Sequence, residues 1–114
     1  ESFLRLLLSA ESRGIQRLVV AENERFPEIG RMFYDLGPKA VLMKVGEYLA
    51  DLMDQGVLRR ADPFVAAQQF KDLAISGVLQ PRIWGVVTDE MTDAEIETQV
   101  IRAVDTFLRA YRPD

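Results

Sequence analysis

Apolar residues recur every three or four positions through each long segment of this chain, and nowhere do they alternate as a half-buried strand requires. That periodicity commits the fold to helices. It is plainest near the C-terminus, where Ile96, Val100, Val104, Phe107 and Tyr111 follow at steps of four, four, three and four to form one stripe. Thr92 and Glu95 stand at its start as a capping box, in which each side chain satisfies a free backbone N–H of the other residue. Arg109 and Arg112 occupy the last turn, where positive charge suits the helix dipole, and Pro113 ends the helix.

The other segments carry their own start and stop signals. Pro38 suits a first helical position and Gly56 a left-handed cap, bounding a helix over 38–55 whose Val41, Val45, Tyr48, Leu49, Leu52 and Met53 share one face. Asp62 caps and Pro63 opens a helix to about Val78, along which Ala67, Phe70, Ala74 and Gly77 make a face of mostly small side chains. Such a face lets another helix come close. Pro81 is expected to break the chain, leaving Arg82 to Val87 as a short helical turn. Upstream, Ser9 caps a helix to about Glu24, and Pro27 begins a short helix ending near Leu36-Gly37. Phe3, Leu4, Leu7 and Leu8 form a stripe with no cap before it, as expected of a helix that begins further upstream. The expectation is one all-α domain over residues 1–114, a bundle of about six helices without a sheet.

Composition removes several kinds of chemistry. The chain has no Cys and no His, so disulfides, thiolate nucleophiles, thiolate zinc sites and His-based catalysis are out of reach. No catalytic residue, metal site or cofactor is expected, and the chain reads as a non-enzyme. Asp89, Glu90, Asp93, Glu95 and Glu97 cluster, but without His or a Gly-bearing calcium loop they read as a solvated loop and an acidic helix start. A formal charge of −4 argues against this segment gripping nucleic acid, which needs a concentrated basic face. The one basic pair, Arg59-Arg60, is accounted for by a solvated loop. No run approaches the ~18 apolar residues of a membrane helix, and no signal peptide stands at the start, so a cytoplasmic location is expected.

Arg17-Leu18-Val19-Val20-Ala21-Glu22, then Arg25-Phe26-Pro27-Glu28-Ile29, Phe33-Tyr34 and Gly37-Pro38, resemble the C-terminal domain of TetR-family transcriptional regulators, closest to the AefR-like subgroup. Asp62-Pro63, Ala66-Ala67-Gln68-Gln69-Phe70 and the closing Val104-Asp105-Thr106-Phe107-Leu108-Arg109-Ala110-Tyr111 continue the match in order, over essentially the whole chain. No single piece is specific; their order and spacing carry the resemblance. It implies a repressor in which an N-terminal helix-turn-helix reads operator DNA while the C-terminal domain dimerises and binds a small effector. No helix-turn-helix precedes Phe3, so operator DNA would be contacted through an N-terminal domain absent from this chain, and residues 1–8 would be the tail of the connecting helix.

Two sites follow as expectations. An effector pocket for a small hydrophobic compound would draw on Phe3, Leu7, Met32, Phe33, Tyr34, Met43, Tyr48 and Trp84. Tyr and Trp carry donors that want partners when buried, and Met adapts to varied shapes, although core packing is the commoner use of each. A homodimer interface would draw on Phe64, Ala67, Phe70, Ala74, Gly77, Ile96, Val100, Val104 and Phe107, since in the family the last two long helices pair across a two-fold axis as a four-helix bundle. Internal packing of both faces is the competing explanation. A helical homodimerisation or adaptor module with no small-molecule site is the alternative function.

Overall fold

The computed structural model describes residues 8–113. Among them lie five helices and no strand: α1 (Ala10–Glu22), α2 (Pro27–Leu36), α3 (Pro38–Asp54), α4 (Pro63–Ile83) and α5 (Asp93–Tyr111). The fold is all-α, as the periodicity requires. The starts form as the local chemistry dictates. Ser9 Oγ accepts from Ser12 N at 3.2 Å, and Asp62 Oδ1 accepts from Phe64 N at 2.9 Å and Val65 N at 3.3 Å. Prolines open α2, α3 and α4, where the missing N–H would have no partner anyway. At α5 the box closes both ways, with Thr92 N to Glu95 Oε1 at 3.0 Å and Glu95 N to Thr92 Oγ1 at 3.1 Å. Hydrogen bonds from the Thr92 backbone and hydroxyl hold the Glu95 carboxyl below the usual carboxylate range.

Helix α4 is the centre of the packing, flanked by α3, α5 and α1, while α2 bridges α1 and α3. Ala66 and Ala67 are buried completely or nearly so, and Ala74 follows two turns on. These short side chains let helices approach α4 from both sides. One cluster joins Leu49 and Met53 of α3, Leu58 of the α3–α4 loop, Ala66 and Ala67, and Phe107 and Tyr111 of α5. The second joins Leu8, Ala74, Ile75, Ile96 and Ala103. Phe107 packs edge-on to Phe70, with centroids 5.3 Å apart, and stacks on Tyr111 at 4.7 Å.

Two expectations are corrected. Arg59 lies in the loop as expected, but it is half-buried and has partners. Its amide donates to the Tyr111 carbonyl at 2.8 Å and its Nε to the Ala110 carbonyl at 3.0 Å, while the guanidinium sits 4.6 Å from the Tyr111 ring centre. A cation thus caps the C-terminus of α5, where free carbonyls and the dipole favour it. Arg60 behaves as expected, pairing among the described residues with exposed Asp54.

Pro81 does not break the chain. Helix α4 continues through it to Ile83 and absorbs the separate turn expected over 82–87. Proline costs the bond to the carbonyl four residues back, here that of Gly77. The loss falls in the final turn, where non-local donors brace the backbone. Arg82 is buried, giving Nη1 to the Val78 carbonyl at 2.7 Å and Nε to the Asp89 carbonyl at 3.2 Å. Arg17 of α1 reaches across to the carbonyls of Ile83, at 2.7 Å, and Arg82. The true stop is Gly85, at φ 77°, a left-handed conformation natural to glycine. Replacing Arg82 with Met would strip donors from two carbonyls at once. Denaturant unfolding should show a loss of ~1–3 kcal/mol, with faster amide exchange confined to residues 84–91.

Candidate functional site

The α2–α3 junction is a single residue, Gly37, whose amide closes α2 on the Phe33 carbonyl at 3.0 Å and whose carbonyl receives Val41 N at 3.1 Å. Because the two helices change direction there, the end of α2 and the start of α3 are held beside the first turns of α4. The space between is a surface groove of about 260 Å³ lined by Tyr34, Lys39, Leu42, Met43, Phe64, Val65 and Gln68. Its apolar walls are Tyr34, Leu42, Met43, Phe64 and Val65. Lys39, Gln68 and the Tyr34 hydroxyl supply its polar groups.

Phe64 owes its position to a glycine. A Cβ built on Gly46 of α3 would stand 2.4 Å from Phe64 Cδ1, so the ring lies against bare helix backbone. Phe64 nevertheless remains 43% exposed, which leaves much of the ring available to the groove. Lys39 makes no ion pair among the described residues. A larger groove between α4 and α5 has polar side chains, Gln69, Asp72, Ser76 and Gln80, along much of its rim. Among the described residues no group of three His, Cys, Asp or Glu could hold a metal, and no helix is long and apolar enough to cross a membrane.

The residues expected around an effector are divided by the fold. Tyr34 and Met43 meet in the groove. Phe33 is half-buried, while Met32 and Tyr48 stand exposed on α2 and α3. Tyr48 therefore leaves the buried face of α3 on which the spacing put it. Trp84 caps the far end of α4 and is 72% exposed; twenty residues of helix, ~30 Å at the usual rise, separate it from Phe64. Phe3 and Leu7 lie outside the described residues. Sequence reasoning missed Lys39, Leu42, Phe64, Val65 and Gln68 as groove residues. The available signal was positional, since Pro38 and Asp62-Pro63 place Lys39, Phe64 and Val65 in first turns and Leu42 and Gln68 in second turns.

The residues expected at a dimer interface divide too. Ala67, Ala74, Ile96 and Phe107 are buried within the single chain and have almost no surface left for a second copy. Phe64 and Gly77 are exposed, and Phe70, Val100 and Val104 are half-buried. Helix α5 carries a second apolar stripe beside the first: Ile101, Val104 and Leu108, spaced three and four. Ile101 is 60% exposed and Leu108 47%. The stripe was visible as an apolar arc too wide for a helix with one neighbour.

The family model of the AefR-like transcriptional repressor C-terminal domain matches residues 1–113, and the chain belongs to this family of TetR-type transcriptional regulators. A solved TetR-family transcriptional regulator from Mesorhizobium loti superposes with a TM-score of 0.89 at 22% identity, covering 97% of this chain and 55% of that one. The flavonoid-responsive regulator FrrA superposes with a TM-score of 0.85 at 27% identity, covering 97% of this chain and 56% of that one. The chain thus spans about half the length of these solved structures. No curated protein sequence matches it.

The Gly46–Phe64 contact is open to a direct check. Gly46→Ala gains up to ~1 kcal/mol of helix propensity but forces the ring off α3, and overpacking of this kind costs ~1–3 kcal/mol. Urea unfolding should therefore show a net loss of up to ~2 kcal/mol, while a gain would mean that the ring leaves without cost.

Proposed function

We propose that this chain is the dimerising, effector-responsive half of a ligand-responsive, cytoplasmic transcriptional repressor. Operator DNA would be contacted by a domain outside this chain. Support for that division comes from the net charge of −4 and from the family to which the chain belongs. The observation that carries the reading is that α5 is apolar on two sides and, among the described residues, packs chiefly along one helix, α4. Its inward stripe packs on α4, and its aromatic end joins the cluster with Leu49 and Met53. Its outward stripe of Ile101, Val104 and Leu108 has the three-and-four spacing of a helix–helix seam. A second copy of the chain related by a two-fold axis would cover that seam with its own, as isologous pairing requires.

Responsiveness rests on the aromatic groove, which combines mostly apolar walls with a few polar groups, and on likeness to a regulator whose name states a response to flavonoids. A ligand alters repression only by binding one domain arrangement better than another, so its differential affinity sets the size of the response. No chemical step is required of the domain.

Sedimentation equilibrium tests the dimer. The wild type should sediment as a dimer and Ile101→Glu/Leu108→Glu as a monomer of unchanged helical circular dichroism, because charge without a partner is costly to bury. A double variant that remains dimeric would move the interface away from this seam. A thermal-shift screen of small hydrophobic compounds tests the sensor, since a ligand held by the native state at 100 times its Kd stabilises by ~2.7 kcal/mol. If no compound raises Tm, a dimerisation module without a small-molecule site becomes the better description.

A further inference from the structure

The groove at the start of α4 has a chemistry more specific than an apolar cleft. Resting on the ligand-responsive reading above, we infer that it binds a small planar aromatic compound bearing an acidic oxygen, a phenolate or carboxylate, with Lys39 as the residue that selects the charge. The apolar part of that specification comes from two rings, Tyr34 and Phe64, flanked by Leu42, Met43 and Val65. Flat ligands suit such walls, because offset and edge-on ring contacts add to simple burial and a Met sulfur adapts to a ring edge. The size follows from the space. About 260 Å³ lies just under the usual ligand-site range of ~300–1,000 Å³, which favours two or three rings over an extended chain.

Charge sets the rest. Lys39 makes no ion pair among the described residues, and α3 has no acidic residue in its first turn to offset it. No Asp or Glu lines the groove. The nearest cap, Asp62, has its carboxylate turned to the amides of Phe64 and Val65. A cationic ligand would therefore meet the Lys39 ammonium with no carboxylate in the groove lining, whereas an anion finds three N–H donors on Lys39. Gln68 and the Tyr34 hydroxyl can donate or accept at the ligand's neutral oxygens. In a chain of net charge −4 this is a local inversion of sign, and that inversion discriminates acidic from neutral aromatics.

Calorimetric titration of the protein with 7-hydroxyflavone, at a mildly alkaline pH where its hydroxyl is ionised, is the test. Saturable binding is expected, weakened about tenfold by Lys39→Glu, as suits one charge-assisted contact. Unsubstituted flavone should bind about tenfold more weakly than 7-hydroxyflavone, and Trp84→Ala, at the other end of α4, should change nothing. Lys39 is exposed, so circular dichroism of Lys39→Glu should match the wild type. Equal affinity of wild type and Lys39→Glu, equal affinity for the two flavones, or no saturable binding at the solubility limit would each overturn the assignment. A compound from the thermal-shift screen whose effect survives Lys39→Glu would leave the sensor reading standing and place its site elsewhere.

Discussion

Close approach to α4 is the constraint on which the rest of the structure depends. Ala66, Ala67 and Ala74 present little more than backbone, so α3 and α5 can both settle against one helix. A larger side chain at any of the three would push a neighbour outward and open one of the clusters, because dense cores absorb added volume poorly. Gly46 repeats the device from the other side, giving Phe64 a bare stretch of α3 to lie on.

The helix starts were legible in the sequence because their chemistry is local. A cap and the amides it serves lie within three residues of each other, as at Ser9, Asp62 and Thr92, and nothing distant interferes. Pro81 was misread for the opposite reason. Its local rule is sound, but the end of α4 is held by Arg82 and by Arg17, which lies sixty-five residues from one of its acceptors. Arg59 was misread in the same way. Its acceptors belong to the far end of the chain, and a short-range view of Arg59-Arg60 shows only two charges in a loop.

The site was harder to see than the fold because residue type alone says nothing about convergence. Trp84 and Tyr34 looked alike as amphipathic aromatics, yet α4 holds Trp84 far from the groove that Tyr34 lines. Lys39 attracted no notice among fourteen Lys and Arg residues until the fold set it beside two rings without a counter-charge. On α5 the inward stripe was found by its period. Period alone could not say which of two overlapping stripes would face α4; that depended on the aromatic end docking beside Leu49 and Met53.

The groove also joins elements of unequal anchorage. Helix α2 has no buried residue, whereas α3 and α4 hold most of the first cluster. Elements with few buried apolar contacts open at the lowest free energy, so α2 is the segment whose position a modest interaction can bias. A molecule held between Tyr34 on one side and Phe64 and Gln68 on the other would tie that weakly held helix to the best-packed one. Because α2 also packs on α1, a change in its position reaches the first described helix without crossing the core. Arg17 holds the opposite constraint, fixing α1 to the last carbonyls of α4. Helix α1 therefore packs on the weakly anchored α2 and is tied through Arg17 to the end of the central helix α4.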